Sequence, residues 1–173
     1  MAGRVLSLLL VLSALRVASA TPPGSLDARR AMDLCERAET QEDDDRVEAL
    51  TRGLALAEAA VAADERDGLA QFALFCNLAR RIRGAGIGLS SPLEVVRAIR
   101  ALERAVVLAP TDPDVMTAKG ALLIELPPLL GGDAAEGRAW LRRALAMAPD
   151  HATARAYLGT DLGAEADVRR ASR

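Results

Sequence analysis

The residues of this 173-residue chain that could do chemistry are few, and their spacing limits what each can do. His151 is the single histidine. Hydrolysis by a Ser-His-Asp set needs a serine on a strained turn, and G-x-S-x-G is absent, as is the H-E-x-x-H of a zinc peptidase. Directly after Pro149-Asp150, His151 is expected in the first turn of a helix, exposed to solvent. Cys35 and Cys76 lack C-x-x-C spacing and further ligands, so they make neither a redox motif nor a zinc site. A disulfide between them and two buried thiols both fit the sequence. Glu42-Asp43-Asp44-Asp45 lacks the alternating ligands and the glycine of a calcium loop; one Asp is expected to cap a helix whose positive end the other acids favour. GAGIGLSS, residues 84–91, is not the phosphate-cradling G-x-G-x-x-G and has no P-loop lysine, so it reads as a connector. No cofactor, metal centre or catalysis is expected from these residues.

The most basic stretch holds Arg80, Arg81 and Arg83, then Arg97, Arg100 and Arg104, with only Glu94 and Glu103 as acids nearby in sequence. Guanidinium groups grip a carboxylate through two parallel hydrogen bonds, so a groove lined by them would hold a peptide carboxylate. A solvated face with charges favourable to a helix C-terminus is the competing reading, and the simpler one. Leu126-Pro127-Pro128-Leu129-Leu130 is similarly open. Its leucines could offer an apolar contact to a partner or fold back over the helix ends, and the fold-back arrangement is preferred.

Helices must position these groups. Ser25 is expected to cap a first helix to about Thr40. A second, alanine-rich helix runs to about Ala63, and Asp64 begins a third that carries Leu69, Phe72, Phe75, Cys76 and Ala79 to about Arg83. Ser91, Pro92 and Glu94 supply the cap, first-turn proline and capping-box acid of a fourth, which buries Val95, Ile99, Leu102 and Val106. Thr111-Asp112-Pro113-Asp114 caps a fifth helix, ended near Leu126 by two prolines that cannot donate backbone hydrogen bonds. After Gly131-Gly132, Asp133 caps a sixth, with Glu136 placed to reach back, and Pro149 stops it. Asp150 is expected to cap a last helix from His151 to about Leu162. Beyond Gly163, the residues Glu165, Asp167, Arg169 and Arg170 suit a polar closing segment.

The chain also repeats itself. LERAVVLAP from Leu102 and LRRALAMAP from Leu141 align at one offset of 39 residues, matching Leu102 with Leu141, Ala105 with Ala144 and Pro110 with Pro149. LAEAAVAADERD from Leu56 is a fainter copy. Repetition at this period marks a stacked helical array. Here the chain resembles the tetratricopeptide repeat family, whose unit is an antiparallel helix pair. The resemblance puts Gly120 and Leu158-Gly159 at the small position of the first helix, Ala98 and Gly137 at that of the second, and Ala105 and Ala144 at the later alanine position. Met116 and Arg155 stand where the family has tryptophan, and Leu123 and Leu162 where it has tyrosine. The spacing is longer than the family's, with LPPLLGG and GAGIGLSS as the extra residues. ELPPLLGGD followed by a helix of the RRALAMAP kind is also similar to the periplasmic TatT-type proteins, tetratricopeptide-like partners of TRAP solute transporters. Those can be lipoproteins, and this chain has no cysteine at its cleavage point.

Residues 1–20 read as a signal peptide: Arg4, an apolar run from Val5 to Leu15, and the small-residue pattern Ala18-Ser19-Ala20. The run is shorter than the ~20 residues a membrane-spanning helix needs, and Arg16 closes it. Cleavage after Ala20 would leave a tetratricopeptide-like domain over residues 21–173, exported to the periplasm or secreted, with no stable membrane span. Composition points to an all-α fold of about seven helices, since Ala, Leu, Arg and Glu dominate and aromatics are only 2%. Losing Arg4 and Arg16 takes the formal charge from −2 to −4, so nothing electrostatic favours nucleic acid.

The expected function is therefore a scaffold that binds a protein or peptide partner through the Arg80 to Arg104 region and the Leu126 to Leu130 loop. The TatT resemblance implies an alternative, an accessory subunit of a TRAP-type solute transporter that binds a small ligand or a substrate-binding protein. An enzyme would need a convergent polar cluster that the sequence does not announce.

Overall fold

A computed structural model describes residues 24–86 and 91–159. The signal segment at residues 1–20, most of the GAGIGLSS connector and the closing segment from Gly163 lie outside the described residues. Within them the fold is all-α: α1 (Leu26–Arg37), α2 (Asp43–Ala63), α3 (Gly68–Ala85), α4 (Pro92–Leu108), α5 (Pro113–Glu125), a 3-10 turn (Pro128–Leu130) and α6 (Ala134–Met147). A further helix, α7, begins at residue 152 and is helical to residue 159.

The helices stack as antiparallel pairs. Ala28 packs with Ala60 at one end of α1 and α2, and Ala38 with Ala49 and Leu50 at the other. In α3 and α4, Gly68 lies against Leu108 and Ala109, while Arg81 near the far end reaches Glu94. The odd-numbered helices run parallel to one another. The Asp67 carboxylate ties α1 to α3 at their N-termini, accepting from Ser25 N at 2.8 Å and from Ala70 N at 3.1 Å. Contacts from Phe72 to Val115 and from Arg83 to Glu125 align α3 with α5, and His151 with Asp114 and Tyr157 with Glu125 align α5 with α7. Small side chains make the close approaches possible: Ala31, Ala57, Ala73, Ala98 and Ala101 are buried in one cluster with Leu54, Leu74, Leu78 and Ile82.

α3 is the central helix. Rather than one stripe, it buries Ala70, Gln71, Phe72, Ala73, Leu74, Asn77, Leu78 and Ile82, because α1, α2 and α4 surround it. Its start also differs from expectation. Asp67, not Asp64, is the N-cap of α3, and Asp64 ends α2. Asn77 is 1% exposed and donates through Nδ2 to Ala31 O at 3.1 Å and Ala73 O at 2.9 Å. Its Oδ1 has no conventional donor and lies where a Gly53 Cβ would stand, so the Gly53 Cα hydrogen points at it. A weak Cα–H···O contact is the compensation open to that oxygen.

Cys35 at the end of α1 and Cys76 in α3 form a disulfide, with Cα atoms 6.2 Å apart. Of the two states the sequence allows, the stacking of α1 on α3 selects the bridge.

Candidate functional site

Arg80 to Arg104 does not form a free basic groove, because folding sets acids against it, three of them distant in sequence. Arg80 pairs with Glu39 at 3.1 Å, Arg83 with Glu125 at 3.4 Å, Arg81 with Glu94 and Arg97 with Glu58. Exposed ion pairs of this kind contribute about 0–1 kcal/mol each. Their larger effect is on availability, since a ligand carboxylate at any of these four arginines must displace an internal one. Glu94 is consequently not a capping-box acid, and Ser91 occupies the N-cap of α4 without a side-chain hydrogen bond. Glu103 is likewise engaged, by Lys119 of α5. Arg100 and Arg104 are exposed, and among the described residues neither has a carboxylate partner.

Around these two arginines the outer face of α4 is apolar: Leu93 is 67% exposed, Val96 41% and Val107 69%. The helix instead buries Ala98, Ala101, Leu102 and Ala105, so the buried stripe is shifted from the expected Val95, Ile99, Leu102 and Val106, of which only Leu102 is fully covered.

The fold-back arrangement fails for two of the three loop leucines. Leu126 is half-buried at the end of α5, but Leu129 is 98% exposed and Leu130 67%. Backbone hydrogen bonds fix the turn that carries them. Leu130 N donates to Pro127 O at 2.8 Å, Gly132 N to the same oxygen at 3.1 Å, and Asp133 N back to Leu123 O at 2.9 Å. Gly131 has φ +89°, and a Cβ on Gly132 would overlap Leu126 O, so both glycines are required. With the chain closed this tightly, the leucines have no route to the helix ends.

His151 is placed otherwise than expected. It is the N-cap of α7, its Nδ1 accepting from Ala154 N at 3.3 Å, and its side chain is only 14% exposed. Nδ1 as acceptor leaves the proton on Nε2, which donates to Asp114 Oδ1 at 2.8 Å, with Thr117 Oγ1 at 3.4 Å from the same nitrogen. General-base catalysis by a triad needs carboxylate and hydroxyl on opposite ring nitrogens. Here both are on one, and the other holds a helix end. Asp150, the expected cap, accepts instead from Arg155 through its backbone oxygen at 2.9 Å.

Beside the loop, Tyr157 of α7 donates its hydroxyl to Glu125, which also pairs with Arg83. Burial and then the Glu125 carboxylate push the Tyr157 phenol up to about 12. The acidic run starts α2 with Glu42, not an Asp, at the N-cap and no side-chain cap bond, while Asp43 pairs with Arg46 at 3.3 Å. Among the described residues no group of three or more His, Cys, Asp or Glu is arranged to hold a metal ion, and no helix is long and apolar enough to cross a membrane.

Sequence reasoning had no signal for the acids that close on the arginines, since Glu39, Glu58 and Glu125 are all distant in sequence. The mid-helix Asn77 in an apolar run was the one visible sign of a buried polar contact. No family model, curated protein or solved structure matches the chain.

Proposed function

We propose that the chain is an exported, tetratricopeptide-like scaffold that binds a protein partner and acts by binding, not turnover. The observation that carries this reading is the pair Leu129 and Leu130, held out in solvent on a turn whose backbone is hydrogen-bonded at both ends. Apolar side chains presented on a rigid element lose little entropy on docking into a pocket of another protein. The stack of antiparallel helix pairs supports the repeat resemblance, and the Cys35–Cys76 bridge suits an oxidising compartment. His151 is committed to a helix cap, so this reading gives it a structural role.

The test is affinity capture from the exported fraction of the native cell, with the full chain as bait and Leu129→Ser/Leu130→Ser as the control bait. A protein retained by the first and lost by the second supports the reading. A solute-binding protein in that position would assign the transporter-accessory role. Equal retention by both baits overturns the part played by the turn.

A further inference from the structure

The outer face of α4 carries a second surface. At 100° per residue, Leu93, Val96, Arg100, Arg104 and Val107 fall within about 80° of arc, opposite the buried alanines. Charges border this strip on both sides, and both are closed internally: Arg97 by Glu58 of α2, Glu103 by Lys119 of α5. Only Arg100 and Arg104, on the strip itself, are left without a carboxylate among the described residues. Two like charges four residues apart on a helix destabilise it slightly unless an anion lies between them. Their setting among three exposed apolar side chains, 41% to 69% accessible, also desolvates any anion that docks there.

We propose that this strip is a docking site for an acidic amphipathic helix of a partner protein, whose two carboxylates, one turn apart, meet Arg100 and Arg104 while its apolar side chains cover Leu93, Val96 and Val107. The match is geometric as well as electrostatic. Guanidinium groups one turn apart on a helix are met in register by carboxylates three or four residues apart on another, with the bidentate geometry arginine favours. From Leu93 to Val107 the strip is about 21 Å long, the span of about four helical turns. An anionic membrane fits less well. Membrane-surface helices present a broad apolar face edged by several cations, whereas this strip is narrow, carries three apolar side chains, and belongs to a chain of formal charge −2. The inference rests on the binding reading but uses a surface separate from the Leu129–Leu130 turn.

The experiment is selection of displayed random peptides of about 16 residues, long enough to cover the strip as a helix, on the full chain. Peptides with two Asp or Glu three or four residues apart among leucines are expected to emerge. They should bind Arg100→Gln/Arg104→Gln about tenfold or more weakly, as loss of two charge-assisted contacts requires, and Leu129→Ser/Leu130→Ser with unchanged affinity. Both arginines are exposed, so an unchanged thermal melt verifies that the glutamine variant is folded. Failure to enrich such peptides, or equal binding to the glutamine variant, overturns the proposal. Arginine-dependent flotation with phosphatidylglycerol vesicles, without peptide binding, overturns it in favour of a membrane. Peptides that depend on the leucines alone would leave the binding reading standing while removing this site.

Discussion

Gly120 of α5 and Gly137 of α6 face each other so closely that a Cβ on Gly120 would stand 2.8 Å from Gly137 O, and one on Gly137 2.7 Å from Gly120 O. The obstacle at each is backbone, which cannot swing aside as a side chain can. Helix propensity alone favours Ala over Gly by about 1 kcal/mol. Overpacking wins here: Gly120→Ala and Gly137→Ala should each destabilise by about 1–3 kcal/mol in urea unfolding. The double variant should cost less than the sum, because the first substitution has already parted the helices. Gly84→Ala, where an added Cβ meets nothing within 4 Å, should instead be neutral or stabilising by up to about 1 kcal/mol. A native-like melt for both α5 and α6 variants would remove the close contact.

The Cys35–Cys76 bridge closes a loop with a sequence separation of 41. On the chain-entropy account, a loop of that size stabilises by about 4 kcal/mol, so Cys35→Ala/Cys76→Ala should lower the unfolding free energy by up to that amount. Cys35 is 0% exposed whereas Cys76 is half-buried, which predicts that a reductant attacks at Cys76 and that alkylation of Cys35 requires unfolding. Ready labelling of the oxidised, folded chain would count against the bridge.

Tyr157 is the only tyrosine, so its phenolate absorbance reports one site. The folded state should hold the proton to about pH 12, against 10.0 for the free side chain. Its contribution to stability is therefore complete below pH 10 and lost as pH rises from 10 through 12. Glu125→Gln should bring the folded titration part of the way down, since burial, the larger cause, remains. A folded midpoint near the free value would show that the hydroxyl is not held by Glu125.

At His151, loss of the cap should be local. His151→Ala removes the acceptor for Ala154 N and the bond to Asp114, a loss of about 1 kcal/mol, whereas His151→Asn keeps a good N-cap and should lose less. Hydrogen exchange should show weakened protection in α7 while α1 to α3 are unaffected. Uniform loss across the chain would mean that α7 does not open separately.

Substitution at the exposed turn should separate binding from stability. Leu129→Ser and Leu130→Ser remove side chains that are 98% and 67% exposed, so unfolding should change by no more than about 0.5 kcal/mol. A large loss of stability would mean that these leucines are covered in solution.

What the sequence determined by itself is the part of the fold governed by local chemistry. Helix starts at Ser25, within Thr111 to Asp114 and at Asp133, and stops at Pro127 and Pro149, are read from residues within one or two turns, and the structure has them there, with Asp112 as the cap of α5. Gly120, Gly137, Ala105 and Ala144, singled out by the repeat resemblance and not by local chemistry, are closely packed or buried. Caps chosen among competing neighbours were less legible: Asp67 over Asp64, Glu42 over the aspartates, His151 over Asp150. Each turns on where the chain comes from in three dimensions, as Asp67 shows by also binding Ser25 N.

Only the tertiary structure decided the surface. Arg80, Arg81, Arg83 and Arg97 look alike in sequence to Arg100 and Arg104, but the first four meet carboxylates carried on the turn after α1, on α4, on α5 and on α2 and the last two do not. Ion pairing depends on distances of a few ångströms between side chains of different helices, set by crossing geometry and not by spacing along one helix. The same holds for Leu129 and Leu130: two prolines and two glycines announce a turn, but its direction follows from the bond of Asp133 N to Leu123 O, which brings the start of α6 back against α5.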